Sequence, residues 1–221
     1  MGKTAIILGI TGLTGNLLAK AVLADSRYDK LISFHRRKSN ITHAKLEEHV
    51  VDVLELEKYK SLFKGDIVFC CIGTTQSKTS DKETYKQIDY GIPVSAARLC
   101  KQNKISQFIA ISALGANAES SVFYNKVKGE MERDVLKQNL KETYLLQPAL
   151  LAGDREEKRT IEKLAIQAFK FFNFFLIGPL KKFQSIKPEA LVAAMQYLSF
   201  NTYADNKIES DVIKKLAAKH A

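Results

Sequence analysis

Three glycines at a spacing of three stand near the start of the chain, between an apolar run and a helical pattern. The apolar run Ala5–Leu8 predicts a strand, and apolar residues recur at helical spacing over 17–22. Gly9 permits a tight turn, Gly12 lets a pyrophosphate approach the backbone, and Gly15 lets the helix pack against the strand. The alternative is an ordinary glycine-rich turn. With this context, the pattern predicts a strand–turn–helix unit that holds dinucleotide phosphates at a helix N-terminus.

The rest of the chain alternates apolar runs with helical patterns, as a parallel doubly wound sheet requires. Further strands are predicted at Leu31–Phe34, Glu48–Asp52, Asp66–Ile72, Gln107–Ser112 and Thr143–Gln147. Helices are predicted at Leu54–Phe63, Glu83–Asn103 and Val122–Gln138. At 221 residues, 46% of them hydrophobic, the chain can bury one full core. We therefore expect an α/β Rossmann fold, a parallel sheet with helices on both faces, in a single domain spanning 1–221.

A basic run follows the second predicted strand, about twenty residues beyond the glycine loop. The run is His35-Arg36-Arg37-Lys38, and it contains no carboxylate to bind the ribose 2′-hydroxyl of NAD. Guanidinium groups present a fixed fork of donors that matches phosphate oxygens. We therefore expect Arg36 and Arg37 to bind a 2′-phosphate and NADP(H) to be preferred, the alternative being an exposed basic turn.

Ligands of open α/β sheets bind at the carboxyl ends of the strands. The residues predicted there are Gly9, Thr11, Gly12, Leu13, Thr14, Gly15, Arg36, Arg37, Asp52, Gly73, Thr74, Thr75, Ser112 and Pro148. Asp52 has two interpretations, since its carboxylate can accept from an adenine amino group or cap the helix that follows.

A Tyr-x-x-x-Lys pair, Tyr124 with Lys128, lies on a predicted helix twelve residues after Ser112. Residues four apart share a helix face, and a nearby ammonium makes a phenol a usable acid near neutral pH. The ammonium can also reach the nicotinamide ribose. The pattern alone is weak, because Tyr203 and Lys207 match it equally well; we interpret that second pair as chance.

These motifs together resemble the atypical short-chain dehydrogenase/reductases, NmrA-like proteins, and in particular the branch that includes the HIV Tat-interacting protein. The motifs are Gly9–Gly15, His35–Lys38, Cys70–Thr75, Ser112–Ala116 and Tyr124–Glu132. The resemblance implies a Rossmann fold binding NADP(H), with Tyr124 as catalytic acid and Lys128 as its electrostatic partner. It also places Pro148, Ala149 and Leu150 beside the nicotinamide, and starts the substrate region at Gly153 and Arg155.

The chain departs from that family after the fifth strand, where two serines are common and this sequence has Ser112-Ala113. Ser112 is the remaining candidate to polarise the substrate carbonyl, and loss of such a donor can lower the rate by orders of magnitude. We expect an oxidoreductase acting on a small molecule. A non-catalytic NADP(H)-binding redox sensor that regulates a protein partner is the alternative.

The region 153–200 is predicted to form a lid over the substrate. Its aromatic segment Phe169–Ile177 favours an apolar substrate pocket or a homodimer contact, with a membrane-interfacial helix as the alternative. The segment is too short to span a bilayer, so no stable membrane insertion is expected. A further helix is predicted to open at Lys187-Pro188-Glu189, and Ile208–His220 to form a short amphipathic helix.

The net charge of +10 is spread along the chain without a nucleic-acid-binding motif, which indicates a solvated surface and no specific nucleic acid partner. Three cysteines predict neither a disulfide framework nor a metal site. Met1 leads within two residues into the first strand, so we expect no targeting peptide and a cytoplasmic location.

Overall fold

The structure, a computed structural model, describes residues 2–75, 77–149 and 183–220. Within these residues one parallel sheet has seven strands in the order β3-β2-β1-β4-β5-β6-β7. The strands are β1 Lys3–Leu8, β2 Tyr28–His35, β3 Leu46–Val50, β4 Ile67–Cys70, β5 Gln107–Ile111, β6 Glu142–Gln147 and β7 Lys207–Glu209. The sheet confirms the predicted Rossmann fold class.

Helices cover both faces of this sheet. They are α1 Leu13–Ala24, α2 Lys82–Lys86, α3 Ile92–Asn103, α4 Phe123–Leu136, α5 Pro188–Leu198 and α6 Ser210–Ala218. A 3-10 helix spans Val53–Tyr59, and a π-helical turn, Gln87–Gly91, joins α2 to α3. Helices α1, α5 and α6 pack on one face, while α3, α4 and the 3-10 helix pack on the other.

The central strand shows why the sequence forms a doubly covered sheet. Side chains alternate along β1, so Ala5 and Ile7 belong to one core cluster and Ile6 and Leu8 to the other. All four side chains are completely buried. A strand covered on both faces carries a continuous apolar run instead of an alternating one.

Strand order reverses at β1, which has β2 on one side and β4 on the other. The carboxyl ends of β1 and β4 therefore diverge into loops on opposite sides of the sheet and leave a crevice. The glycine loop follows β1, and Gly73–Thr75 follows β4. Two segments predicted to bind the cofactor, the glycine loop and Gly73–Thr75, thus lie on either side of this point.

Three helix predictions need correction. Leu54–Phe63 is a 3-10 helix over Val53–Tyr59, and the predicted helix Glu83–Asn103 begins at Lys82 and contains the π-helical turn. The predicted helix Ile208–His220 begins as strand β7. Only Ile208 is buried in this three-residue edge strand, so the sequence carries no alternating pattern to reveal it.

The predicted lid is described only in part. Residues 150–182, with Leu150, Gly153, Arg155 and the aromatic segment 169–177, lie outside the described residues. Helix α5 begins at Pro188, as predicted, and lies within the region assigned to the lid. It packs in the core with α1 through fully buried Leu191 and Met195. This end of the predicted lid therefore forms part of the core.

Candidate functional site

The glycine loop is held tightly between β1 and α1. Gly9 has φ of 90°, a left-handed conformation that favours glycine, and its carbonyl oxygen accepts from Gly12 N at 3.0 Å. A Cβ at Gly15 would lie 2.0 Å from that same oxygen. Helix α1 can therefore approach the strand only because residue 15 has no side chain.

Gly12 leaves room for a phosphate at the start of α1. A Cβ at this position would meet nothing nearer than Gly9 O, at 3.4 Å. Gly12 caps the helix without a side-chain hydrogen bond, and the first turn contains no acid. The positive end of the helix dipole thus faces an open space, which is the arrangement that fits a dinucleotide pyrophosphate.

The basic run lies at the carboxyl end of β2, where it was predicted. Arg36 and Arg37 are exposed, while His35 is buried. Glu48 holds the base of this turn, because its Oε1 accepts from Ser39 N at 3.0 Å and lies 3.4 Å from His35 Nε2. Burial lowers the pKa of His35. The two guanidinium groups are therefore exposed, and Glu48 fixes the backbone of the turn that carries them.

Asp52 acts as a helix cap in this structure. Its Oδ1 accepts from Leu54 N at 3.0 Å at the start of the 3-10 helix. This contact matches the capping interpretation, and the adenine contact stays a prediction.

Lys128 forms a buried ion pair with Asp89, a residue that the sequence reasoning missed. Lys128 Nζ lies 2.8 Å from Asp89 Oδ1, and the two side chains are 4% and 1% exposed. Burial opposes the charged ammonium, but the Asp89 carboxylate outweighs it, together with Tyr124, and the pKa of Lys128 is raised. Lys128 is therefore held as a cation inside the protein.

Asp89 also fixes the loop after β4. Its Oδ2 accepts from Thr74 N at 2.7 Å, and a Cβ at Gly73 would lie 3.5 Å from Asp89 Oδ1 and 3.8 Å from Lys128 Nζ. Asp89 belongs to the π-helical turn, and this turn places its carboxylate against the loop after β4. The signal that could have revealed it is an acid directly between the apolar residues Ile88 and Tyr90 within a predicted helix.

Tyr124 lies in the first turn of α4, one turn before Lys128, and is 38% exposed. It interacts electrostatically with Lys128 and with the buried Tyr85. Phe123 packs edge-on against Tyr85, with ring centroids 5.5 Å apart. The predicted phenol–ammonium pair is thus present on one helix at the carboxyl edge of the sheet.

The hydroxyl of Ser112 is directed to Glu132. Ser112 Oγ donates to Glu132 Oε1 at 2.5 Å, and Gln147 Nε2 donates to the same oxygen at 2.7 Å. Glu132 is fully buried on α4, and its Oε2 lies 2.9 Å from Lys207 Nζ. The Ser112 proton is therefore engaged away from any substrate, and the neighbouring Ala113 has no hydroxyl.

The segment after β6 is fixed by two hydrogen bonds. Leu114 N donates to Pro148 O at 3.0 Å, and Ala149 N donates to Ser210 Oγ at 2.6 Å. Ser210, fully buried at the start of α6, is a second residue that the sequence reasoning missed. The edge strand and its helix thus help to fix the segment after β6, where Pro148 and Ala149 are predicted to lie beside the cofactor.

The second Tyr-x-x-x-Lys match does not form a pair on a helix. Tyr203 precedes β7, and its backbone N donates to Tyr144 Oη at 2.9 Å. Lys207 begins β7 and pairs with Glu132. Tyr203 and Lys207 therefore do not share a helix face.

The cysteines and possible metal ligands form no further site among the described residues. Cys70, Cys71 and Cys100 are free thiols, and burial raises the pKa of Cys70 to about 11. Within the same ranges no cluster of three His, Cys, Asp or Glu side chains could hold a metal ion. No helix over those ranges is long and apolar enough to cross a membrane.

Comparison with known proteins agrees with this geometry. A family model described as NAD(P)H-binding matches residues 9–165. The chain is 33% identical to protein HTATIP2 of Rattus norvegicus over 171 residues, which cover 76% of this chain and 70% of that protein. It is 30% identical to the mitochondrial protein FMP52-1 of Scheffersomyces stipitis over 176 residues, 77% of each chain.

Two solved structures illustrate the fold. ADP-L-glycero-D-manno-heptose-6-epimerase of Helicobacter pylori has a TM-score of 0.68 at 16% identity, over 99% of this chain and 82% of that one. The enzyme WbmG of Bordetella bronchiseptica, in complex with NAD, has a TM-score of 0.70 at 11% identity, over 100% and 77%. At these identities the likeness concerns the fold alone.

Proposed function

The chain belongs to the NAD(P)H-binding family of atypical short-chain dehydrogenase/reductases, and on that premise we propose that it is an NADP(H)-dependent oxidoreductase. The reaction is reduction of a carbonyl-like group on a small molecule. The observation that carries the proposal is the buried Lys128–Asp89 ion pair one helical turn from the partly exposed Tyr124.

Different residues of the chain would bind different parts of NADP(H). The open helix end at Gly12 would receive the pyrophosphate, and Arg36 and Arg37 would bind the 2′-phosphate. Lys128, beside Gly73, would contact the nicotinamide ribose. When bound, NADP(H) supplies the hydride for the reaction.

Tyr124 would be the acid of the reaction. Its Oη donates a proton to the substrate oxygen as that oxygen gains negative charge. The nearby Lys128 ammonium stabilises the phenolate that remains, because it is held charged by Asp89 in a medium of low dielectric constant. Asp89 is a positioning residue in this scheme, since it acts through Lys128 and Thr74.

The test is NADPH consumption by the full chain with a panel of small aldehydes and ketones, alongside the Tyr124→Phe variant. We expect consumption that depends on the carbonyl compound and falls steeply in the variant. Activity that is equal in both proteins would contradict the role of Tyr124.

A second function, a non-catalytic redox sensor, is favoured by one observation. The proton of Ser112 is committed to Glu132, and Ala113 offers no second hydroxyl to a substrate. In that case NADPH and NADP+ would bind without any turnover, and the two complexes would differ in their sensitivity to limited proteolysis. Reduction of any carbonyl compound by Tyr124-dependent chemistry would exclude this alternative.

We also propose that the partner is a small-molecule substrate, with a homodimer as the alternative contact, and that the chain has no specific nucleic acid partner and no stable membrane insertion. The proposed location is the cytoplasm, whereas the similar fungal protein FMP52-1 is named as mitochondrial. Imaging of the tagged chain in its own cell distinguishes the two compartments.

A further inference from the structure

A small pocket lies beside the proposed acid Tyr124. Its volume is about 260 Å³, and its lining residues are Thr79, Ser80, Lys82, Tyr85 and Phe123. Phe123 directly precedes Tyr124, and Tyr85 interacts electrostatically with Tyr124. A cavity of roughly 150 Å³ can hold benzene, so this pocket has room for a single substituted ring.

Aromatic side chains form the wall of the pocket. Tyr85 and Phe123 meet edge to face, with an interplanar angle of 61° and centroids 5.5 Å apart. Tyr85 is almost completely buried, which fixes the orientation of the pair. A wall of this kind favours a flat, aromatic ligand, because ring edges and faces attract one another beyond simple area burial.

The charge of the lining is positive. Lys82 Nζ lies 5.6 Å from the centre of the Phe123 ring, and it is the charged group among the five lining residues. The adjacent Asp81 is not a lining residue of the pocket, and its Oδ2 instead accepts from Thr84 N at 2.7 Å and from Thr84 Oγ1 at 2.6 Å at the start of α2. Hydroxyls of Thr79 and Ser80 complete a rim suited to an anionic group.

The surroundings of Ser112 restrict the reacting group. With the Ser112 hydroxyl donated to Glu132 and alanine at 113, the end of β5 offers no side-chain hydroxyl to a substrate oxygen. Loss of one such donor lowers rates by roughly 10²–10³-fold. An aldehyde tolerates this loss better than a ketone, because its carbonyl carbon is more electrophilic and less hindered.

We infer that the substrate is an aromatic aldehyde of one ring that carries a carboxylate, bound with its ring against Phe123 and Tyr85 and its carboxylate toward Lys82. This inference rests on the proposed function. In the reaction the aldehyde carbon gains a hydride from the reduced nicotinamide and its oxygen gains the Tyr124 proton. The carbonyl π bond breaks, a primary alcohol forms, and Tyr124 regains a proton from solvent.

The experiment uses the full chain as its Tyr124→Phe variant, saturated with NADPH, so that binding is measured without turnover. Saturation-transfer NMR titrations compare para-formylbenzoate with benzaldehyde, which lacks the carboxylate, and with cyclohexanecarbaldehyde, which lacks the flat ring. We expect para-formylbenzoate to bind most tightly. Turnover by the unmodified chain then compares para-formylbenzoate with para-acetylbenzoate, and the aldehyde should be reduced faster.

Two variants and one control locate the binding. Lys82→Gln should weaken the binding of para-formylbenzoate about threefold to fivefold and leave the binding of benzaldehyde unchanged, as expected for an exposed ion pair. Phe123→Leu should weaken the binding of both aromatic ligands. Lys126→Gln removes an exposed cation on α4 that does not line the pocket, and it should change the binding of neither ligand.

The outcomes separate the two proposals. The inference about the pocket would be overturned if cyclohexanecarbaldehyde bound as tightly as para-formylbenzoate. It would also be overturned if neither Lys82→Gln nor Phe123→Leu weakened the binding of para-formylbenzoate. Neither result would contradict the proposed reductase activity. If the ligands bind in the expected order but the unmodified chain consumes no NADPH, the proposed reductase function is overturned. The pocket would then be a ligand-binding site without that reaction.

Discussion

Lys128 Nζ and Asp89 Oδ1 lie 2.8 Å apart with both side chains almost completely buried, so one ion pair joins helix α4 to the π-helical turn before α3. The same Asp89 carboxylate accepts from Thr74 N. The helix that carries Tyr124 and the loop that faces the proposed nicotinamide site are thus fixed to a single charged group.

Asp89→Asn should lower the free energy of unfolding by about 3 kcal/mol or more, because it leaves the Lys128 charge buried without a counter-ion. Asparagine keeps an oxygen that can accept from Thr74 N, so the effect reports mainly on the charge. Chemical denaturation at neutral pH measures it. Glu55→Gln, in an exposed pair with Lys58, is the control and should leave stability unchanged.

The pH dependence of that variant has a definite sign. In the unmodified chain Asp89 raises the pKa of Lys128 above its ordinary 10.5. The ion pair therefore contributes fully to the free energy of unfolding at lower pH, and this contribution is lost only as pH rises through the raised pKa. Without the Asp89 carboxylate, which is the main group that opposes burial, we expect burial to dominate and the pKa of Lys128 to fall. The unfolded variant then binds more protons than the folded one, so its stability should rise from neutral pH toward pH 10. A deficit that stays constant over this range would contradict the account.

Gly12→Ala and Gly15→Ala should fail in different ways. The Cβ added at residue 12 meets no atom closer than 3.4 Å, whereas that at residue 15 would lie 2.0 Å from Gly9 O. We expect Gly12→Ala to keep its melting temperature and bind NADPH at least about tenfold more weakly, since the methyl group enters the phosphate space. Gly15→Ala should lose about 1–3 kcal/mol of stability or more. Equal NADPH affinity of Gly12→Ala and the unmodified chain would exclude this loop as the phosphate site.

Arg36→Ala combined with Arg37→Ala should remove the preference for NADPH over NADH. Each charge-assisted contact with the 2′-phosphate is worth about 1.5–3 kcal/mol, so NADPH should bind tenfold or more weakly. NADH lacks that phosphate and serves as the internal control. Titration calorimetry with both cofactors measures the change, and equal affinities in the unmodified chain would refute the NADP(H) assignment.

Tyr124→Phe should leave NADPH affinity intact and lower carbonyl reduction by about 10²–10⁴-fold, because only the proton donor is removed. Lys128→Ala should damage both cofactor binding and turnover. Its matched comparison is Lys126→Ala on the same helix, which should change neither quantity. Full activity of Tyr124→Phe would place the proton donor elsewhere.

Ser112→Ala should affect stability more than turnover. The hydroxyl donates to Glu132, so its loss removes one buried charge-assisted hydrogen bond, worth about 1.5–3 kcal/mol. If Ser112 instead polarised the substrate, kcat/KM would fall by about 10²–10³-fold. Parallel measurements of melting temperature and kcat/KM decide between the two roles.

The sequence was sufficient for the features that depend on local spacing. Gly9, Gly12 and Gly15 lie between one strand and one helix, and Tyr124 and Lys128 share a helix face, so neighbours in the chain define both motifs. The central strands were identified because they are buried on both faces. These signals need no knowledge of contacts between distant segments.

The missed features depend on contacts that only the folded chain creates. Asp89 meets Lys128 across two helices, and Glu132 meets Lys207 from the edge strand. No periodicity within either segment marks such a partner. Strand β7 was missed for a related reason, since its three residues acquire their conformation by pairing with β6.

The contact between Lys207 and Glu132 has a consequence for the order in which the protein is made. Helix α4 leaves the ribosome with Glu132 on its buried face, long before residue 207 has been synthesised. Until β7 pairs with β6, Ser112 and Gln147 donate to that carboxylate but Lys207 does not yet balance its charge, so its burial is less favourable than in the complete fold. We therefore expect the helix that carries Tyr124 to gain its full stability only once residue 207 has emerged and β7 has paired with β6, late in synthesis.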